Sequence, residues 1–172
     1  MKIKKSICFA LAIFTVCALL SACSSSDKTA DGKTDAGADY AKYSELNVDE
    51  NGTVTILTEG ITRTARFFNY DANGITVQLV ALRDKSDGVH IAFNTCQSCS
   101  PSPKAYYQQS GGVLKCTNCG FTFEPEQVGI TAGGCNPWPI DGVSIVENDI
   151  KIPVSSLDGM RSVFSTWAGT IR

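Results

Sequence analysis

One histidine, His90, is all that the 172-residue chain contains. A Rieske centre needs two histidine ligands and is excluded. No Ser/His/Asp set is read around this residue, and no motif supports a Cys/His hydrolase. Between the apolar residues Val89, Ile91 and Phe93, His90 reads as a surface or half-buried strand side chain. Positive charge is also scarce. Fifteen Lys and Arg face seventeen Asp and Glu, a net charge of −2, with none of the basic stripe that marks a nucleic-acid footprint. Neither a Walker loop nor a G-x-G-x-x-G phosphate loop occurs. The one long apolar run, residues 7–20, is too short to be read as a membrane span.

That run has another reading. Met1-Lys2-Ile3-Lys4-Lys5 is basic, the apolar stretch follows, and Leu20-Ser21-Ala22-Cys23 closes it with small residues before a cysteine. This is a lipoprotein signal peptide over residues 1–22, with Cys23 as the lipidated first residue of the mature chain. An ordinary signal peptide with an incidental cysteine is the alternative. Two acyl chains give stable membrane attachment, so the expected location is the extracytoplasmic face of a cell membrane. Cleavage removes Cys8, Cys17 and three lysines and leaves 12 basic against 17 acidic residues, a net charge of −5. Residues 23–48 are rich in Ser, Asp, Gly and Ala and read as a flexible tether, with a helical turn over 38–46.

What is abundant is cysteine in one stretch. Cys96, Cys99, Cys116, Cys119 and Cys135 all fall within residues 96–139. Cys96-Gln97-Ser98-Cys99 and Cys116-Thr117-Asn118-Cys119 are two C-x-x-C pairs at the separation of a four-thiolate metal site. Two sulfurs three positions apart in a tight turn face one ion, and a second such turn completes a tetrahedron. Gly120, directly after the second pair, suits a turn that needs positive φ, which frees backbone N–H groups to point at sulfur. The first pair has Ser100 there and is the weaker half of the pattern. Disulfides are the alternative in an oxidising compartment, but five cysteines leave one unpaired, and a bound metal protects thiolates.

Period-two alternation places the pairs. Strands are expected over 53–57, 62–70, 75–82 and 89–93, the last running into Cys96, with a short strand over 112–115 delivering Cys116. A hairpin is expected over 143–154, and Ser156 reads as the cap of a helix over 157–165. The expected fold is therefore mainly β: a small β-rich domain over 49–172 with two C-x-x-C knuckles and a short C-terminal helix.

The segments Ala92-Phe93-Asn94-Thr95-Cys96-Gln97-x-Cys99, Val113-Leu114-x-Cys116-x-Asn118-Cys119-Gly120 and Gly133-Gly134-Cys135-Asn136-Pro137-x-Pro139-Ile140, with Ala65-Arg66-Phe67-Phe68-x-Tyr70 before them, resemble the FtrD-like membrane iron–sulfur protein family. The resemblance covers about residues 50–160. It implies a membrane-associated iron–sulfur protein working beside an iron-transport system, and its motif cysteines fall on Cys96, Cys99, Cys116, Cys119 and Cys135. An iron permease or a redox protein in the membrane is the partner it suggests.

Three cofactors suit four thiolates: an iron–sulfur cluster, a mononuclear iron, or zinc as a purely structural ion. Iron makes the protein an electron-transfer or iron-handling component rather than an enzyme. Zinc makes it a binding module with a ribbon-like staple. Cys135 reads as a further cofactor-binding residue, fixed by Gly133, Gly134, Pro137 and Pro139, or else as a small buried apolar side chain. Tyr106, Tyr107, Phe121, Phe123 and Trp138 read as a hydrophobic shell around the thiols.

Overall fold

The computed structural model describes residues 42–130 and 132–171. The signal segment 1–22, Cys23 and the tether up to residue 41 lie outside the described residues. Eleven strands and two short helices follow in order: β1 (Tyr43–Glu45), β2 (Thr53–Leu57), β3 (Arg66–Asp71), β4 (Thr76–Arg83), β5 (Val89–Cys96), β6 (Tyr107–Ser110), β7 (Val113–Cys116), β8 (Thr122–Phe123), β9 (Pro137–Trp138), β10 (Ser144–Val146), β11 (Asp149–Pro153), α1 (Val154–Asp158) and α2 (Arg161–Phe164). The mainly β reading holds. No helix among the described residues is long and apolar enough to cross a membrane.

The frame is a five-stranded sheet in the order β1-β3-β4-β5-β9, antiparallel except for the parallel β1/β3 pair. Its three central strands carry apolar residues on both faces. Phe68, Tyr70, Leu79, Ala81, Ile91 and Phe93 point to one side. There Val54 and Ile56 of β2, Ile150 and Ile152 of β11, and Leu157 and Phe164 of the helices close the layer. Phe67, Val80, Leu82, Ala92 and Cys96 point to the other side, against Tyr107, Leu114, Cys116 and Phe123 of a small β6-β7-β8 sheet. Burying each large apolar side chain contributes about 1.5–3 kcal/mol. Two cores on one sheet therefore lock the small sheet, which carries Cys116, onto β5, which carries Cys96.

Residues 67–70 are all buried, and alternation divides them between the two cores: Tyr70 lies with Phe68 on the face opposite Phe67. His90 and Ala92 do face away from Ile91 and Phe93, as alternation requires. The strand expected over 112–115 is β7, displaced by one residue so that Cys116 is its last member.

Two expectations need correction. Residues 43–45 are neither tether nor helical turn: they form β1, held by the Phe67 N–H on the Lys42 carbonyl at 2.8 Å and by the Tyr43 ring stacked on Phe67 at 5.2 Å. The C-terminal helix is two helices that meet at Gly159 and Met160. The first begins at Val154, and Ser156 does not cap it; its hydroxyl donates to the Asp141 carbonyl at 2.7 Å.

A row of buried amides crosses the central strands on the side of the small sheet. Asn69 donates to Glu45 at 2.8 Å, Gln78 to Asn69 at 2.7 Å and Asn94 to Gln78 at 2.7 Å. Gln78 also donates to the Thr170 carbonyl at 2.9 Å, which ties down the C-terminal segment. A buried amide without a partner costs about 1–3 kcal/mol; here the amides partner one another, with Glu45 and the Thr170 carbonyl completing the set. Asp84 works similarly at the β4–β5 turn. Its carboxylate accepts from the N–H groups of Ser86 and Gly88 and lies 2.8 Å from His90 Nε2. The His90 hydrogen bond, then that from Gly88, holds the Asp84 carboxyl below its ordinary range.

Gly129 is a further fixed point. Its φ is +75°, and a Cβ there would run into the Ile91 carbonyl of β5. Gly129→Ala is expected to destabilise the protein by roughly 2–3 kcal/mol, since the backbone is strained and the contact forces a shift. Urea unfolding monitored by tryptophan fluorescence measures it; an unchanged midpoint would show that this loop does not depend on the close approach.

Candidate metal centre

The thiols sit at the ends of strands, where a sheet holds the first sulfur of each pair and a turn presents the second. Cys96 ends β5 and Cys116 ends β7. Both turns close the same way. The Ser100 N–H donates to the Cys96 carbonyl and the Gly120 N–H to the Cys116 carbonyl, each at 2.9 Å. The second turn takes φ = +78° at Gly120, as its glycine suggests; the first makes the same closing hydrogen bond with no residue at positive φ. The two turns are joined directly by the Ser102 hydroxyl on Asn118 Oδ1 at 2.8 Å.

The sulfurs of Cys96, Cys99, Cys116 and Cys119 all lie within 4.8 Å of one another, and those of Cys99 and Cys116 are 3.9 Å apart. None of the five thiols, Cys135 included, is in a disulfide. The donor set is four soft sulfurs with no carboxylate or imidazole in the group, the set that thiophilic ions and iron–sulfur clusters take. Backbone N–H groups serve the sulfurs: those of Cys119 and Asn118 point at Cys116, and that of Phe121 at Cys119. The Asn118 side chain hydrogen-bonds to the Cys99 sulfur. Donors of this kind stabilise thiolate charge, so the residues present fit a thiolate-bound metal.

Burial grades the thiols. Cys96 and Cys116 are fully buried, Cys99 and Cys135 are partly buried and Cys119 is exposed. Burial is the main reason the Cys116 and Cys99 thiols are pushed up, and it raises Cys135 to about 11. Burial acts upward on Cys119 too, but the Phe121 N–H and the thiols of Cys116, Cys99 and Cys135 outweigh it and leave Cys119 below the ordinary thiol value.

Cys135 is not one of the four mutually close sulfurs. It is partly buried against the core cluster that contains Cys96 and Cys116. Its loop is laced to the first turn: the Ser98 N–H donates to the Gly134 carbonyl at 3.1 Å and the Gln97 N–H to the Asn136 carbonyl at 3.2 Å. The Gly133 N–H returns a bond to the Gln97 side chain. Cys23 lies outside the described residues.

Of the aromatic residues, Tyr107 and Phe123 do form a shell, edge to face at 5.7 Å. Phe121 is exposed, Trp138 packs into the opposite core, and Tyr106 meets Trp167 at 5.9 Å. The sequence pattern misses the polar side of the shell. The Tyr107 hydroxyl donates to the Cys135 carbonyl, and Asn94, two residues before Cys96, accepts from the Tyr107 N–H at 2.8 Å. Burial, with the Cys96 thiol beside it, pushes the Tyr107 phenol far up, so it remains a neutral donor. The signal available was Asn94 itself, a polar residue amid the apolar run of β5.

A family model described as "Membrane iron-sulfur containing protein FtrD-like" matches residues 61–164, more than half of the chain and all five of these cysteines. No curated protein and no solved structure matches.

Thiolate, not thiol, is the reactive form. In the metal-free protein, limited iodoacetamide at neutral pH is expected to modify Cys119 first and Cys96 and Cys116 last. Peptide mass mapping over time reads the order; early labelling of Cys116 would contradict the graded burial.

Proposed function

Because the chain belongs to the FtrD-like family of membrane iron-sulfur containing proteins, we propose that it is a lipid-anchored, extracytoplasmic iron–thiolate or iron–sulfur protein that transfers electrons or handles iron beside a membrane iron-transport system. The observation that carries this reading is the group of four cysteine sulfurs within 4.8 Å of one another. Cys96, Cys99, Cys116 and Cys119 hold the metal, with Cys135 beside them. Iron in such a site supplies one-electron chemistry between its ferrous and ferric states. The protein residues set the conditions for it. The N–H groups aimed at Cys116 and Cys119 stabilise thiolate charge, and the Tyr107–Phe123 shell excludes water from the buried side. The exposed Cys119 leaves one side open to a partner such as an iron permease or a redox protein in the membrane.

Residues 23–41 serve as the tether in this reading, and Cys23 as the anchor. Zinc is the second reading. The paired turns, each closed by an N–H on the first cysteine's carbonyl, suit a structural zinc as well as an iron, and would leave a binding module with no redox role.

Anaerobically purified protein is expected to carry iron and a visible sulfur-to-iron absorption. Cys116→Ser is expected to lose the metal and lower the melting temperature by several degrees, because a thiolate-bound ion adds folding free energy. Colourless protein containing only zinc would remove the redox role and leave the structural one. Separately, Cys23→Ser is expected to move the protein from the membrane fraction to the soluble fraction, or to leave it as uncleaved precursor. A fully processed, membrane-bound mutant would refute the lipid anchor.

A further inference from the structure

The strand that delivers Cys96 loses its ladder just before it gets there. β5 pairs with β4 as far as Phe93, and its pairing with β9 is irregular between Phe93 and Cys96. A carbonyl that leaves its ladder needs another donor. The Asn94 carbonyl lies in that stretch and finds one far along the chain: the Trp167 indole N–H donates to it at 2.9 Å.

Trp167 does not act alone. Residues 165–170 follow α2, outside the family-matched stretch 61–164, and they fasten the loop that leaves the first thiol pair. The Thr166 hydroxyl donates to the Pro101 carbonyl at 2.6 Å, and the Ala168 N–H to the Pro103 carbonyl at 2.9 Å. The indole meets Tyr106 edge-on at 5.9 Å, and the Thr170 carbonyl accepts from the buried Gln78. Gly169 folds against the indole, because a Cβ there would stand 2.1 Å from a ring carbon. The first turn thus has fastenings from outside where the second has its own glycine.

The fastening is light. No helix or strand includes residues 165–170, Thr166 and Ala168 are exposed, and the half-buried Trp167 is the one large apolar side chain. A segment with few buried apolar contacts and exposed hydrogen bonds opens at a fraction of the free energy of global unfolding. Its release therefore precedes any loss of the two cores.

Resting on the reading of Cys96, Cys99, Cys116 and Cys119 as a metal centre, we propose that residues 166–170 are a clasp on the first thiol turn, with Trp167 as its positioning residue, and that opening of the clasp sets how readily the centre gives up its metal. Trp167 acts through the Asn94 carbonyl, and its neighbours through the carbonyls of Pro101 and Pro103. None of them is a metal ligand in this reading.

Two variants release the clasp without touching a cysteine. Trp167→Phe keeps a ring and removes the N–H donor, and Gly169→Ala pushes the indole out of its place. The full-length protein as isolated is followed by hydrogen exchange with mass spectrometry over residues 97–105, 113–121 and 76–83, which report the first turn, the second turn and the central sheet. Loss of its bound metal to EDTA is timed by metal analysis of the desalted protein. Both variants are expected to start with wild-type metal content, to exchange several-fold faster over 97–105 alone, and to lose metal several-fold faster. Acceleration shared by all three stretches would make the segment a general stabiliser and overturn the clasp. Unchanged exchange over 97–105 in both variants would overturn it too. Faster exchange there with unchanged metal loss would overturn its control of the metal. Protein isolated without any metal would defeat the metal reading instead, and exchange over 97–105 then decides the clasp by itself.

Discussion

Burial of β5 on both faces is the constraint from which the site's geometry follows. A strand packed on one side only tolerates a sliding partner; one packed on both sides does not. Ile91 and Phe93 are held by the core beneath β2, β11 and the helices, while Ala92 and Cys96 are held by the small sheet. Cys96 is therefore part of a core before it is part of a site. Because the small sheet must bury Leu114 and Tyr107 against that same face, Cys116 at the end of β7 arrives opposite Cys96.

Polar groups then refine what apolar packing positions coarsely. The Asn69–Gln78–Asn94 row fixes the β3–β4–β5 register from inside, and Asn94 passes the constraint to the Tyr107 backbone. The Tyr107 hydroxyl in turn holds the Cys135 carbonyl. A chain of hydrogen bonds thus runs from the exposed Glu45 edge to the fifth cysteine, and each bond in the buried part is stronger for the low dielectric around it. The tyrosine does two things at once, filling the core with its ring and locating the loop with its hydroxyl.

Much of this was legible in the residues themselves. Paired C-x-x-C spacing announced a convergence of sulfurs, and Gly120 announced the second turn. The β content followed from alternation at 53–57 and 75–82. Less legible was anything decided by contacts distant in sequence. Residues 43–45 look like tether because only the Tyr43–Phe67 stack and pairing with β3 make them a strand. Strands of two to four residues, such as β6, β8 and β9, carry too few positions for a period to show. The break between α1 and α2 is set by packing of Leu157, Met160 and Phe164 on the core, which outweighs the capping signal at Ser156. The first thiol turn adopts the same closure as the second without the glycine that marks it.

The parallel pairing of β1 with β3 has a mechanical consequence. β1 is the sheet edge opposite β9, and three strand spacings, about 14 Å, separate it from β5. Tension applied at residue 42 is borne first by a three-residue edge strand. Peeling that strand breaks the Phe67–Lys42 and Leu46–Asn69 backbone bonds and leaves the two turns, their N–H groups and the Tyr107 contact in place. The edge strand is a mechanical fuse: load on the N-terminal segment is dissipated there before it distorts the thiols.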